Sequence, residues 1–385
     1  LIRSEPVLAA VLAGLVAAVL QAEKLPALRP LFGRLPPVVW TYLLPMLLTS
    51  AGVLPAQSPL YAGLGRYLLP ASLVLLLLAS ELRAVARLGR LALLAMLAGA
   101  VGIVAGVAGG YWLLRPWLPA DAWRGAGALA ATWIGGSLNL VAVARALEYD
   151  PGVVIGVDTV VGYSYMALLI ALASRQDAFD RWNRADRGAV DEAARRVGEL
   201  QSTRRPASVA DLTLMIGLAG GLTVLALEIG ERLPPVGEVL RPFSWAVLLL
   251  TSLALLLSLT PLAVRLEQAG ASSLGYAGFY LLLASIGAQG DLRRLLEQPV
   301  FVALGVLALA VHLGTLLLAV RLLRAPLFFL GAASQACVGG YSSAPIVAAI
   351  YQPGTASVGL LLAVLGNLAG TYVGLALAQG LAALP

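Results

Sequence analysis

Apolar residues run through this chain in long blocks divided by short polar stretches, and they do not alternate with polar ones as the strands of a membrane barrel would. A helix needs about 20 apolar residues to cross roughly 30 Å of hydrocarbon. Twelve blocks approach that length: 6–20, 38–54, 66–82, 88–114, 124–147 and 152–174, then 209–227, 243–261, 275–289, 299–323, 327–351 and 355–384. Their Leu, Ala and Val content predicts an all-α polytopic membrane protein whose main partner is the lipid bilayer. The weakest is 6–20, which as a helix would measure only about 22 Å and could tilt at the interface instead.

Composition agrees with this reading. Of 385 residues, 60% are hydrophobic and 12% charged, and the mean hydropathy is +0.88, whereas a soluble domain carries about a quarter charged residues. Eight basic and six acidic residues fall in 175–205, so this stretch cannot span a membrane. It predicts a solvated loop, 175–207, between a first half at 1–174 and a second at 208–385, with a surface helix over 186–200 ended by Arg204, Arg205 and Pro206. One Cys (Cys337) and one His (His312) leave no disulfide framework and no His-rich transition-metal site. The net charge of +6 comes from Arg, with Lys24 the sole lysine, and no basic cluster interleaves with aromatics, so nucleic acid is not an expected partner. Excess Arg suits cytoplasmic loops and anionic headgroups, as in the inner (cytoplasmic) membrane of a bacterium. The first residue is Leu1, so no cleavable signal is argued.

The halves read as copies. Thr41-Tyr-Leu-Leu-Pro-Met-Leu-Leu-Thr-Ser50 is echoed by Leu248-Leu-Leu-Thr-Ser252, and the Leu-Leu-Leu-Ala-Ser80 ending of the third block returns at Ser285. Ala131-Thr-Trp-Ile-Gly-Gly-Ser-Leu-Asn139 aligns with Gln335-Ala-Cys-Val-Gly-Gly-Tyr-Ser-Ser343 at an offset of 204, which also pairs Gly162 with Gly366. Two homologous bundles facing a central site are the sequence mark of a secondary transporter. Inverted repeats need an odd number of crossings each, or a linking span, so six plus six leaves five or six helices per repeat open. Charge does not decide the orientation: Arg83, Arg87 and Arg90 favour one side as cytoplasmic and the 175–205 loop the other.

Gly135-Gly136 and Gly339-Gly340 interrupt apolar blocks and are followed by Ser137 and Asn139 in one copy, by Ser342, Ser343 and Pro345 in the other. Paired glycines weaken a helix by about 1 kcal/mol each, so each half is expected to hold one broken helix, the two crossing at the membrane centre. At such a break, amides of the second half-helix and unwound carbonyls face a shielded gap. Close helix packing through small residues is the plainer reading of a lone glycine pair.

Together the Arg66-Tyr-Leu-Leu-Pro-Ala-Ser-Leu-Val-Leu, Trp133-Ile-Gly-Gly-Ser-Leu-Asn139 and Val157-Asp-Thr-Val160 segments resemble the bacterial and plant membrane family called domain of unknown function 819. That family is grouped with the cation/proton antiporter and anion transporter clan, which includes bile acid, glutamate and auxin carriers. The resemblance implies inverted repeats, a core domain with two crossing broken helices, and a flanking panel whose helices could join a homodimer. By resemblance to the bile acid branch, Ser137, Asn139 and Thr159 take the role of sodium ligands. The second break departs from that branch, with Gln335 and Ser343 in place of its acidic residue.

Asp158 is the only acid well inside a block, where a carboxylate costs at least ~2.5 kcal/mol unless paired, hydrated or protonated. It reads as a cation ligand or proton carrier, or as a helix-start acid, since Asp150, Pro151 and Gly152 lie just before it. His312 reads as a proton relay, or as a neutral imidazole donating to a backbone carbonyl. Glu81 reads as an interfacial ion pair with Arg83 and Arg87. Gln289, Asn367, Tyr163 and Thr371 are polar positions that line a cavity or bridge helices.

The leading expectation is a secondary active transporter for a small organic, anionic solute, coupled to Na+ or H+ by alternating access and needing no other cofactor. Its cation site would use Ser137, Asn139, Asp158, Thr159 and Gln335. Its substrate site would use Gly135, Gly136, Gly339, Gly340, Ser342, Ser343 and Asn367. No phosphate-binding loop of the G-x-x-x-x-G-K-[ST] type occurs, so ATP is not the expected energy source. The alternatives are an intramembrane hydrolase pairing Ser137 or Ser343 with His312, and a channel, for which no filter-like repeat is evident.

Overall fold

The computed structural model describes residues 2, 4–34, 37–78, 88–198, 205–237, 239–289 and 298–384, without the side chains of 33, 34, 196–198 and 342. Glu81, Arg83 and Arg87 lie outside this set. All secondary structure among the described residues is helical, apart from one isolated bridge between Val236 and Leu240. Among the described residues, eight helices are long and apolar enough to cross a membrane, or up to ten if two bent pairs each form one span.

In chain order the main helices are α1 (Glu5–Ala22), α2 (Pro37–Ser50), α3 (Pro59–Leu78) and α4 (Arg90–Leu114). The half-helices α5 (Ala122–Gly135) and α6 (Ser137–Ala146) follow, then α7 (Gly152–Ala173). The inter-half segment holds α8 (Gln176–Asn183) and α9 (Gly188–Gly198). The second half contains α10 (Val209–Arg232), α11 (Pro242–Ser258), α12 (Pro261–Gln268), α13 (Ala271–Gln289) and α14 (Pro299–Leu322). It closes with the half-helices α15 (Leu327–Val338) and α16 (Gly340–Tyr351) and the long α17 (Ala356–Ala382). The block at 243–261 ends earlier than its apolar length suggests, because Pro261 starts a new helix and α12 turns 90° from α11. Both α3 and α7 contain a π turn, Leu64–Leu68 and Asp158–Gly162 respectively.

The helices pack as two groups. One gathers α4 to α7 with α14 to α17, the other α1 to α3 with α10, α11 and α13. Inside the first, α4 lies on α14 and α5 on α17. These approaches depend on glycine: a Cβ at Gly106 would lie 2.5 Å from the Ala308 carbonyl oxygen, and one at Gly127 2.8 Å from that of Gly374. With no hydrophobic effect between helices in lipid, such close van der Waals packing supplies much of the association. The groups meet where α6 packs on α11 and α3 and where α17 packs on α11. Ser244 Oγ bonds the Ala146 carbonyl at 2.9 Å there, and Arg241 pairs with Glu148 at 2.8 Å.

The inter-half segment is not the purely solvated loop its charges suggest. Asp180 and Asn183 are buried because they satisfy helix-end groups that have no partner within a helix. Asp180 accepts the Leu327 amide at 2.8 Å, capping α15, and is held by Arg187 Nε at 3.0 Å. Asn183 donates to the Val320 and Ala325 carbonyls at 3.0 and 2.8 Å and accepts from Arg321 at 3.0 Å. Asp180→Ala is therefore expected to lower stability by about 1–2 kcal/mol, the worth of a helix cap, read as a lower Tm in detergent. An unchanged Tm would mean that the cap contributes nothing.

Candidate functional site

The two glycine pairs end helices for a backbone reason. Gly136 sits at φ +86° and ψ 173°, a conformation open in practice only to glycine, and it separates α5 from α6. Gly339 separates α15 from α16, whose first residue, Gly340, sits at φ +58°. The breaks touch: a Cβ at Gly340 would stand 3.5 Å from the Gly136 Cα. Four half-helix ends thus converge on one point, and neither α6 nor α16 has a side-chain cap at its start. The amino-terminal dipoles of α6 and α16 therefore start at the crossing, where no side chain caps them.

A cavity of about 30 Å³ opens beside this crossing, walled by Gly136, Ser137, Asp158, Tyr163, Gln335 and Gly339 among others. Since a water needs some 10–15 Å³ by this measure, the space suits a small ion or one or two waters. Asp158 opens the π turn of α7, a distortion that often marks functional positions. Its carboxylate accepts from Trp133 Nε1 at 2.8 Å and from Thr132 Oγ1 at 3.4 Å, both on α5. It is therefore tied to the broken helix rather than to the start of its own. Gln335 is 1% exposed and donates from Nε2 to Ser343 Oγ at 2.6 Å, while its Oε1 is buried with no partner. An unmet acceptor on the wall of a cavity that also holds a carboxylate suits a small cation or a water that donates to it.

The other candidates lie elsewhere. Asn139 faces α17, donating to Gly135 O at 2.7 Å and Asn367 Oδ1 at 2.6 Å and accepting from Thr371 Oγ1 at 2.5 Å. Asn367 in turn donates to Tyr341 at 3.1 Å, so it belongs to the same fastening. Thr159 Oγ1 is committed to the Ile155 carbonyl at 2.8 Å, off the cavity wall. Gly135 and Gly340 belong to the crossing rather than the wall, Ser343 stands behind Gln335, and the Ser342 side chain lies outside the described residues. Asn139→Ala is expected to cost about 1–3 kcal/mol by leaving Asn367 and Thr371 unpaired. The loss should be equal with and without Na+ in thermal unfolding; a loss seen only with Na+ would make Asn139 an ion ligand.

His312, fully buried, meets the Gly99 carbonyl through Nδ1 at 2.8 Å and Ser334 Oγ through Nε2 at 2.9 Å. A carbonyl only accepts, so Nδ1 carries a proton; in the neutral imidazole Nε2 then accepts from Ser334, whose oxygen is left to accept from Tyr165 at 2.7 Å. No hydrogen bond joins His312 to Ser137 or Ser343 among the described residues. Sequence reasoning missed Thr132, Trp133, Ser334 and Tyr165 as partners. The one available signal was the indole N–H, which in a buried block needs an acceptor.

Apolar crossing helices with polar breaks buried between them define an integral, polytopic membrane protein. More narrowly, the chain belongs to the family described as protein of unknown function (DUF819), whose model matches residues 10–384. It is similar to "Uncharacterized membrane protein YjcL" of Bacillus subtilis (strain 168), 27% identical over 341 residues, which cover 86% of this chain and 85% of that protein.

Proposed function

We propose that this protein is a secondary active transporter that moves a small organic, anionic solute by alternating access, coupled to Na+ or H+. The observation that carries the reading is the contact between the breaks at Gly136 and Gly340, beside a cavity holding Asp158 and the unmet Gln335 amide. A polar backbone gap at that depth is tolerated only where protein shields it, which in transporters is the ion and substrate site.

The same reading takes the halves as inverted repeats within the cation/proton antiporter and anion transporter clan. In support, the third and fourth helices of one half pack on their counterparts in the other, α3 on α13 and α4 on α14. The packing groups then supply a core, with both breaks, that rocks against a panel. The coupling ion is held by Asp158, Ser137 and Gln335. The membrane is the bacterial cytoplasmic one.

Purified protein in liposomes should accumulate labelled carboxylates when an inward Na+ or H+ gradient is imposed, and lose them when it is collapsed. Flux that only equilibrates would instead indicate a channel. Chemical turnover without accumulation would indicate a hydrolase.

A further inference from the structure

Several arginines of this protein have hydrogen-bonded partners: Arg187 has Asp180, Arg205 has Asp211, Arg241 has Glu148 and Arg321 has Asn183. Arg145 differs. It stands in the last turn of α6, eight residues past Ser137 and so about 12 Å along the half-helix from the break. Its side chain is partly buried, its Nε is enclosed with no hydrogen-bond partner, and it forms no ion pair among the described residues. Asp150 acts on it electrostatically but accepts the Gly152 amide through Oδ1. The α6 carboxyl end favours a cation, yet it gives Nε nothing to bond.

Across the seam the guanidinium rests on Gly65, where a Cβ would lie 3.5 Å from Cζ. Gly65 belongs to the π turn of α3, in the other packing group. A partly desolvated guanidinium whose Nε makes no hydrogen bond is costly in a membrane protein, and an ionisable side chain kept there is a candidate for function. Its planar fork fits an oxyanion through two parallel N–H donors.

We propose that Arg145 binds the oxyanion of the transported solute, a carboxylate or similar group, at the seam between α6 and α3. That the oxyanion is cargo rests on the transporter reading; a lipid phosphate offers the same chemistry. The test compares wild type, Arg145→Met and Arg145→Lys in neutral detergent, with Arg324→Gln, an exposed site, as control. Tm is followed during titration with acetate, succinate, citrate, inorganic phosphate or, separately, phosphatidylglycerol.

Without anion, Arg145→Met should melt no lower than wild type, because the charge it removes is partly desolvated and its Nε makes no hydrogen bond. At least one soluble anion should raise the wild-type Tm, with binding weakened by a factor of about ten or more in Arg145→Met and less in Arg145→Lys. The proposal fails if Arg145→Met melts well below wild type without anion, if its anion response equals wild type, if no soluble anion shifts wild type, or if only phosphatidylglycerol does. Liposome uptake separates the two claims. Arg145-dependent binding without driven uptake would keep the site and sink the carrier, whereas full uptake by Arg145→Met would do the reverse.

Discussion

Asp158→Asn is expected to abolish gradient-driven uptake while leaving the protein folded. The substitution keeps the shape of the side chain, so Trp133 Nε1 still finds an acceptor and Thr132 still has a polar neighbour. What disappears is the only carboxylate on the cavity wall. A part-buried charge without a permanent counter-ion costs stability, so its removal should leave Tm unchanged or raise it. Uptake should fall by about 100-fold or more, as for removal of an essential charged ligand worth roughly 3 kcal/mol. Near-normal uptake by a well-folded Asp158→Asn protein would remove Asp158 from the coupling step. Asp158→Glu tests the geometry, since an added methylene must fit a space of about 30 Å³.

The second large effect is expected at Gly136. An alanine there meets no atom closer than the Gly340 Cα at 3.9 Å, so room is not the obstacle. Backbone strain is. At φ +86° and ψ 173° a Cβ is held in a conformation that costs about 1–3 kcal/mol or drives the segment toward a continuous helix. Either outcome moves the ends that wall the cavity, so uptake should drop at least as far as Tm suggests. Gly340→Ala, at φ +58°, lies in the left-handed region that L-residues enter for about 1–2 kcal/mol and should be milder. Gly366→Ala fails differently: its Cβ would overlap the Ile134 carbonyl oxygen, so misfolding is expected without any strain in φ. A Gly136→Ala protein with wild-type Tm and uptake would mean that the break is incidental.

Asn139 and Ser137 show why candidate residues could be collected from the sequence but not assigned. They are two positions apart, which on a helix places them about 200° around the axis from one another. Ser137 reaches the cavity wall and Asn139 points the other way, into Asn367 and Thr371. The phase of α6 is set by the dihedral angles of Gly136, and nothing in residue order gives those angles. Asp180 and Asn183 were misjudged for a related reason. Their charge and polarity read as solvent-facing, but the ends of α14 and α15 offered groups in need of partners, and packing brought them together.

The sequence by itself determined that the chain dissolves in lipid as helices, because long apolar blocks without strand-like alternation leave the helix as the way to satisfy the backbone there. It also determined where two of those helices would break, because paired glycines carry their cost wherever they fold. Tertiary structure alone decided that the breaks meet, that Asp158 turns toward Trp133, and that Gln335 and Arg145 keep polar atoms unmatched. Those outcomes depend on the rotation and approach of separate helices, which are fixed by contacts between residues far apart in the chain.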